Sequence, residues 1–166
     1  EGQRYDFGMP PSHPNAELIR RFYDAFGKRD AEGMAACYAD DVQFGDAAFP
    51  DLRGKSAGDM WRMLCESGKD LRVEASEIDA DDTTGKARWI ATYTFSATGR
   101  KVVNDIRAQF RFKDGRIIEH RDSFDFYRWA KQALGTSGLL LGWTPLLRGA
   151  VRRKALAGLD AYLAGR

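Results

Sequence analysis

Three side chains in this sequence have the chemistry of proton transfer and few charges of their own kind around them. Asp46 closes the stretch "DVQFGD" and is followed by Ala47, Ala48 and Phe49. A carboxylate so placed either shapes a turn by accepting backbone N–H groups ahead of it, or sits in an apolar pocket. In a pocket, burial raises its pKa toward the range of a general base. His120 and Asp122 stand two residues apart in "EHRDSFD". In a strand they share a face about 7 Å apart, close enough to act on one substrate or water. The alternative is a structural pair hydrogen-bonded to backbone where sheet meets helix. Ile118 and Phe124 are placed on the same face, and a polar pair among apolar groups is costly unless it is paired or used. No metal site is expected, because the histidines are only His13 and His120 and His13 lies in a Pro-rich segment. No cofactor is expected either.

The elements that position these groups change period along the chain. Leu18, Ile19, Phe22, Tyr23 and Phe26 recur at helical spacing over residues 15–28. A short second helix is predicted over 31–39, carrying Met34, Cys37 and Tyr38. A third is predicted from Ser56, capped by its hydroxyl with Asp59 in the first turn and Met60, Met63 and Leu64 inward. Beyond Lys69 the pattern alternates. Trp89, Ala91, Tyr93 and Phe95 share one strand face, and Asn104, Ile106, Ala108, Phe110 and Phe112 another. Glycines in "SATGRK" and "KDGR" mark hairpin turns. Helices followed by strands give an α+β fold, a curved antiparallel sheet with helices on one face. Arg107, Arg111, Arg121, Asp105 and Asp125 fall on the outer face, a solvated surface or a polar dimer seam.

With 166 residues, 43% of them hydrophobic, the chain has enough material for one globular core. No stretch is long and apolar enough to cross a bilayer, and "EGQRYDFGMPPSHP" has no signal-like run. Cys37 and Cys65 lack metal-ligand spacing and read as buried thiols of a reducing compartment, the cytoplasm. The net charge of +2 is uneven: residues 1–130 carry 20 Lys+Arg against 23 Asp+Glu, and residues 131–166 carry 6 against 1. The body therefore gives no reason to expect nucleic acid as a partner. The chain divides into a domain at 1–130, with its core at 14–126, and a basic amphipathic helical extension at 131–166. In that extension a flexible Gly-rich lead precedes Thr144 as N-cap and Pro145 at the first helical position. Leu147, Val151, Ala155, Leu159, Tyr162 and Leu163 then form an apolar stripe beside Arg148, Arg152 and Arg153. Such a helix docks on protein or lies on a membrane surface.

Three segments, "RFYDAFGKRDAEGMAACYADDVQFGD", "LRGKSAGDM" and "FRFKDGRIIEHRDSFD", resemble the SnoaL-like and ketosteroid-isomerase-like branch of the NTF2-like superfamily. The resemblance implies an NTF2-like (cystatin-like) cone around a long first helix, with an apolar pocket inside and commonly a homodimer. It also implies an isomerase or polyketide-cyclase type of activity on a small apolar carbonyl compound. The isomerase pattern places its base on Asp46, its first-helix tyrosine on Phe22 beside Tyr23, and its second oxyanion donor on Ala108. The base is present and both donors are replaced, and such donors stabilise a developing enolate. An epoxide-hydrolase pattern places its second acid on Asp122, with Arg107 one residue out of register. The cyclase pattern, an acid in the last strand with a histidine nearby, resembles "HRD". The implied site thus has Asp46 or Asp122 as base and His120 as proton donor or orienter. Phe22, Tyr23, Trp89, Tyr93, Asn104, Ala108, Phe110 and Phe124 would line the pocket. A domain that binds a hydrophobic molecule without chemistry, and water addition to an epoxide, are the alternatives.

Overall fold

His13 starts the first helix by accepting the Asn15 amide on Nδ1 at 3.0 Å, with Pro14 at the first helical position. The computed structural model describes residues 11–166, so the part of the expected domain before residue 11, and the reading of its leader, lie outside the described residues. Helix α1 (Pro14–Gly27) buries Leu18, Ile19, Phe22, Tyr23 and Phe26 along one stripe. Helix α2 (Ala31–Ala36), capped by Asp30, is shorter than its periodicity suggests. Cys37 and Tyr38 leave it because the Cys37 carbonyl accepts the Ile117 amide at 3.0 Å. That bond opens strand β1 (Tyr38–Gly45).

Strand β2 (Leu52–Arg53) leads into α3 (Lys55–Ser67). Ser56 does not cap α3: its hydroxyl donates back to the Arg53 carbonyl at 2.8 Å, and Gly54 turns the chain with a φ of 55°. Asp59 is buried between Lys55 and Arg62, at 2.9 and 2.8 Å. The inward face of α3 carries Ala57, Met60, Trp61 and Cys65, and Met63 and Leu64 are half-buried at its margin.

Strands β3 (Arg72–Ala80), β4 (Thr84–Phe95), β5 (Arg100–Lys113) and β6 (Arg116–Ser123) complete a six-stranded sheet ordered β2-β1-β6-β5-β4-β3. The sheet is mixed, not wholly antiparallel, because β1 pairs with β6 in parallel. The chain reaches β6 only after β2, α3 and three further strands, so no hairpin forces the two to oppose. The β5–β6 turn puts Asp114 and Gly115 at φ of 51° and 73°, the left-handed pair that a two-residue hairpin requires. Beyond it the register slips: Phe112 faces Ile117 and Arg111 faces Glu119. This bulge leaves Ile118 unpaired and sends Ile117 fully inward, so Ile117 and not Ile118 shares the buried face with His120.

After β6, Asp125 caps α4 (Phe126–Leu134) by accepting the Arg128 amide at 2.9 Å. The expected flexible lead is a short helix, α5 (Thr136–Leu141). It lies so close to α4 that a Cβ on Gly138 would meet the Ala130 carbonyl oxygen at 1.9 Å. Helix α6 (Pro145–Ala164) begins with Thr144 as cap and Pro145 at its first position. Leu159 is buried, and Leu147, Val151, Ala155, Tyr162 and Leu163 pack against the apolar clusters of the body. Arg152 Nε donates to the Ala47 carbonyl at 3.0 Å, so α6 lies across the loop that carries Asp46. No helix among the described residues is long and apolar enough to cross a membrane.

Candidate functional site

Alternation on β6 sends His120 and Asp122 to the helix-covered face, where both are buried. His120 has no exposed surface: its ring is walled by Phe110 at 4.4 Å between centroids, Phe44 at 5.1 Å and Phe22 at 5.4 Å, and Trp61 stacks over it. A polar ring in such a shell needs both nitrogens satisfied. Nδ1 meets the Tyr38 hydroxyl at 2.8 Å, and Nε2 meets Asp122 Oδ1 at 2.9 Å. Trp61 Nε1 donates to the Tyr38 oxygen at 2.9 Å, and Trp89 Nε1 donates to Asp122 Oδ1 at 3.3 Å.

The donors fix the tautomer. Indole N–H groups only donate, so the Tyr38 oxygen accepts from Trp61 and its own hydrogen turns to His120 Nδ1. His120 therefore carries its proton on Nε2 and gives that hydrogen bond to Asp122, an assignment from the network as a whole. Both ring nitrogens are engaged. His120 thus holds Oδ1 of the Asp122 carboxylate, and Oδ2 accepts no hydrogen bond among the described residues.

Asp46 follows the last residue of β1 and shapes the turn beyond it. Oδ1 accepts the amides of Ala48 at 2.8 Å and Phe49 at 2.6 Å, the turn-shaping geometry. Oδ2 takes no part in that turn. Burial pushes the carboxyl up to about 6, against the pull of the two amides, and the negative charge of Asp122 raises it further. A carboxylate tuned this near neutrality is suited to take and return a proton. Tyr23 adds a donor. Its hydroxyl is buried without a hydrogen-bond partner among the described residues. Burial, then the negative charge of Asp122, hold its pKa well above the usual phenol range. The phenol stays a neutral O–H near Asp122.

The family profile of the SnoaL-like domain matches residues 19–120, more than half of the chain. The chain belongs to the SnoaL-like family of the NTF2-like superfamily. Three solved structures show how broadly the SnoaL-like fold is shared. A protein from Jannaschia sp. CCS1, provisionally assigned as a SnoaL-like polyketide cyclase, superposes with a TM-score of 0.66 at 16% identity, over 81% of this chain and 99% of that one. An LEH-like epoxide hydrolase from M. tuberculosis gives 0.59 at 22% identity, over 83% and 98%. A provisional ketosteroid isomerase from Kribbella flavida DSM 17836 gives 0.56 at 18%, over 69% and 79%. At these identities the likeness is one of fold. No protein of curated function matches the chain.

Within this SnoaL-like scaffold, Phe22, Trp89, Ala108 and Phe110 are buried on the inner side, as are Tyr23 and Asn104. Tyr93 and Phe124 are half-buried, and the Tyr93 hydroxyl accepts from Trp129 Nε1 at 2.9 Å. Two surface grooves touch this set only at its margin, one at Phe110 and the other at Asn104 and Phe124. One of about 620 Å³ runs over the outer sheet face between Asp79, Lys86, Gln109, Arg111, Glu119 and Arg121. The other, about 370 Å³, is bounded by Arg107, Ser123 and Arg128. Aromatic rings fill the space around His120 instead. Sequence reasoning missed Tyr38 and Trp61, which complete the network. Tyr23, beside the isomerase position, has its hydroxyl within the electrostatic reach of Asp122.

Proposed function

We propose that this SnoaL-like protein is an enzyme that moves a proton on a small or medium apolar carbonyl compound, as an isomerase or cyclase does. The observation that carries this is Asp46, a carboxyl held near pKa 6 by burial, with one oxygen pinned by the backbone and the other not. Asp46 takes the proton from the carbon next to the carbonyl, and the bonding electrons move onto the carbonyl oxygen. The Tyr23 hydroxyl supplies the hydrogen bond that this oxygen requires. The protonated Asp46 then returns the proton to the far carbon of a conjugated double bond, or the enolate carbon attacks a second carbonyl, closing a ring, and Asp46 gives its proton to the alkoxide oxygen so formed. Asp122, held by His120 and Trp89, keeps the Asp46 proton affinity high and orients the substrate.

A binding domain without chemistry is the second reading, favoured by the rings that fill the interior and by α6 across the Asp46 loop. The two are separated by a panel of apolar ketones and epoxides assayed with wild-type protein, Asp46→Asn and Asp122→Asn. Loss of turnover in Asp46→Asn with ligand binding preserved supports the enzyme. Undiminished turnover in that variant removes Asp46 from the mechanism. Tight binding with no turnover by the wild type leaves the binding domain. Epoxide opening that depends on Asp122 alone favours water addition.

A further inference from the structure

Seven large apolar side chains are exposed in the described structure, and five of them fall between residues 139 and 146. Leu139, Leu140 and Leu141 end α5, Trp143 forms the connection, and Leu146 lies in the first turn of α6, with exposures between 51% and 85%. Scattered exposed leucines need no explanation, but this density at one corner marks a docking surface. Trp143 Nε1 donates to the Leu140 carbonyl at 3.0 Å. Its polar atom is satisfied internally, so the ring can enter an apolar medium without losing that bond. The corner is also stiff, because Gly138 packs against the Ala130 carbonyl and the Tyr127 hydroxyl donates to the Leu139 carbonyl at 3.1 Å.

The charge along the chain on either side of the corner is of one sign. From Phe126 to Leu159 the chain has Arg128, Lys131, Arg148, Arg152, Arg153 and Lys154 and no Asp or Glu. Leu146 and Arg153, seven residues apart, share the exposed face of α6. An apolar, Trp-bearing tip with basic flanks is complementary to a negatively charged lipid surface, where the tip enters the acyl boundary and the cations meet headgroups.

We propose that the α5–α6 corner docks the protein on the surface of an anionic lipid bilayer. The stripe of α6 that packs on the body is not the membrane contact; the tip at 139–146 is. This holds whatever chemistry Asp46 performs.

The test is vesicle binding followed by tryptophan fluorescence. Trp61, Trp89 and Trp129 are buried, so a lipid-dependent signal reports Trp143. Full-length protein should sediment with phosphatidylcholine vesicles containing about 30% phosphatidylglycerol and far less with phosphatidylcholine alone. Emission should shift to the blue and be quenched by brominated lipid. The paired change Leu140→Ser with Leu146→Ser should weaken binding at least about tenfold, with an unchanged circular dichroism spectrum. Binding should also fall as salt rises from about 0.05 to 0.5 M. Failure of the wild type to bind anionic vesicles at low salt overturns the proposal. Binding that ignores the paired leucine change also overturns it. So does protection of Trp143 by concentration-dependent self-association without lipid, which would make the corner a protein interface.

Discussion

Replacing Asp46 with Asn is expected to stabilise the protein at pH 8 and to do nothing for it at low pH. The Asp46 carboxyl lies at about 6 in the folded chain against an ordinary 3.8. The folded state therefore holds this proton more tightly than the unfolded state, and ionisation costs stability. That cost is absent below the unfolded value, grows as pH rises between the two, and is complete above about 6–7. At roughly 1.4 kcal/mol per pKa unit the full cost is about 3 kcal/mol. Asp46 keeps some contact with solvent, which brings the expectation to about 1–3 kcal/mol. Asn preserves an oxygen where Ala48 and Phe49 donate their amides, so the turn survives the change. Urea unfolding of both proteins at pH 8 and at pH 4 measures the difference. The variant should be the more stable at pH 8, and the two should converge near pH 4. A variant that is less stable at pH 8, or a difference independent of pH, would show Asp46 to be an ordinary turn carboxylate and would refute the tuning argument. A site residue whose loss stabilises the fold is the usual mark of function held against stability.

Tyr38→Phe should cost about 1–3 kcal/mol in urea unfolding, because it leaves the Trp61 indole and His120 Nδ1 without a buried partner. No loss would mean that water or a rearranged ring replaces the hydroxyl. Ile117→Ala should cost about 2–4 kcal/mol and Ile118→Ala clearly less, since the bulge sends only Ile117 fully inward. The reverse order would place the register slip elsewhere.

The part of the fold most legible in the sequence is where the period is long and unbroken. On β5, Ile106, Ala108, Phe110 and Phe112 alternate without interruption and all are buried. Strict alternation on β6 fails at one point, because a bulge adds a residue that neither composition nor spacing announces. Tyr38 continues a helical pattern in the sequence, and it becomes the first residue of β1 only because β6 offers its backbone a partner. Trp61 was hidden by phase: Met60, Met63 and Leu64 suggest one stripe, and the buried one, through Ala57 and Cys65, is rotated toward Trp61. Of the site, Asp46, His120 and Asp122 were legible as residue types in apolar company. Trp89 was legible as a ring on the same inner side, but Tyr38 and Trp61 were not, because Tyr38 reaches His120 from a neighbouring strand and Trp61 reaches Tyr38 from α3.

The parallel pairing of β1 with β6 has a consequence for biosynthesis. The Tyr38–His120 hydrogen bond joins residues 82 positions apart. At a synthesis rate of roughly 5–20 residues per second, β1 waits about 4–16 s after it is made before its partner strand exists. During that interval its edge is paired only with the two residues of β2. Asp40 and Asp41, which point away from the core, place two negative charges on this waiting strand and discourage it from pairing with another nascent chain. The two aspartates are thus neighbours in sequence of the tyrosine that completes the buried network, and that network cannot close until β6 has been made.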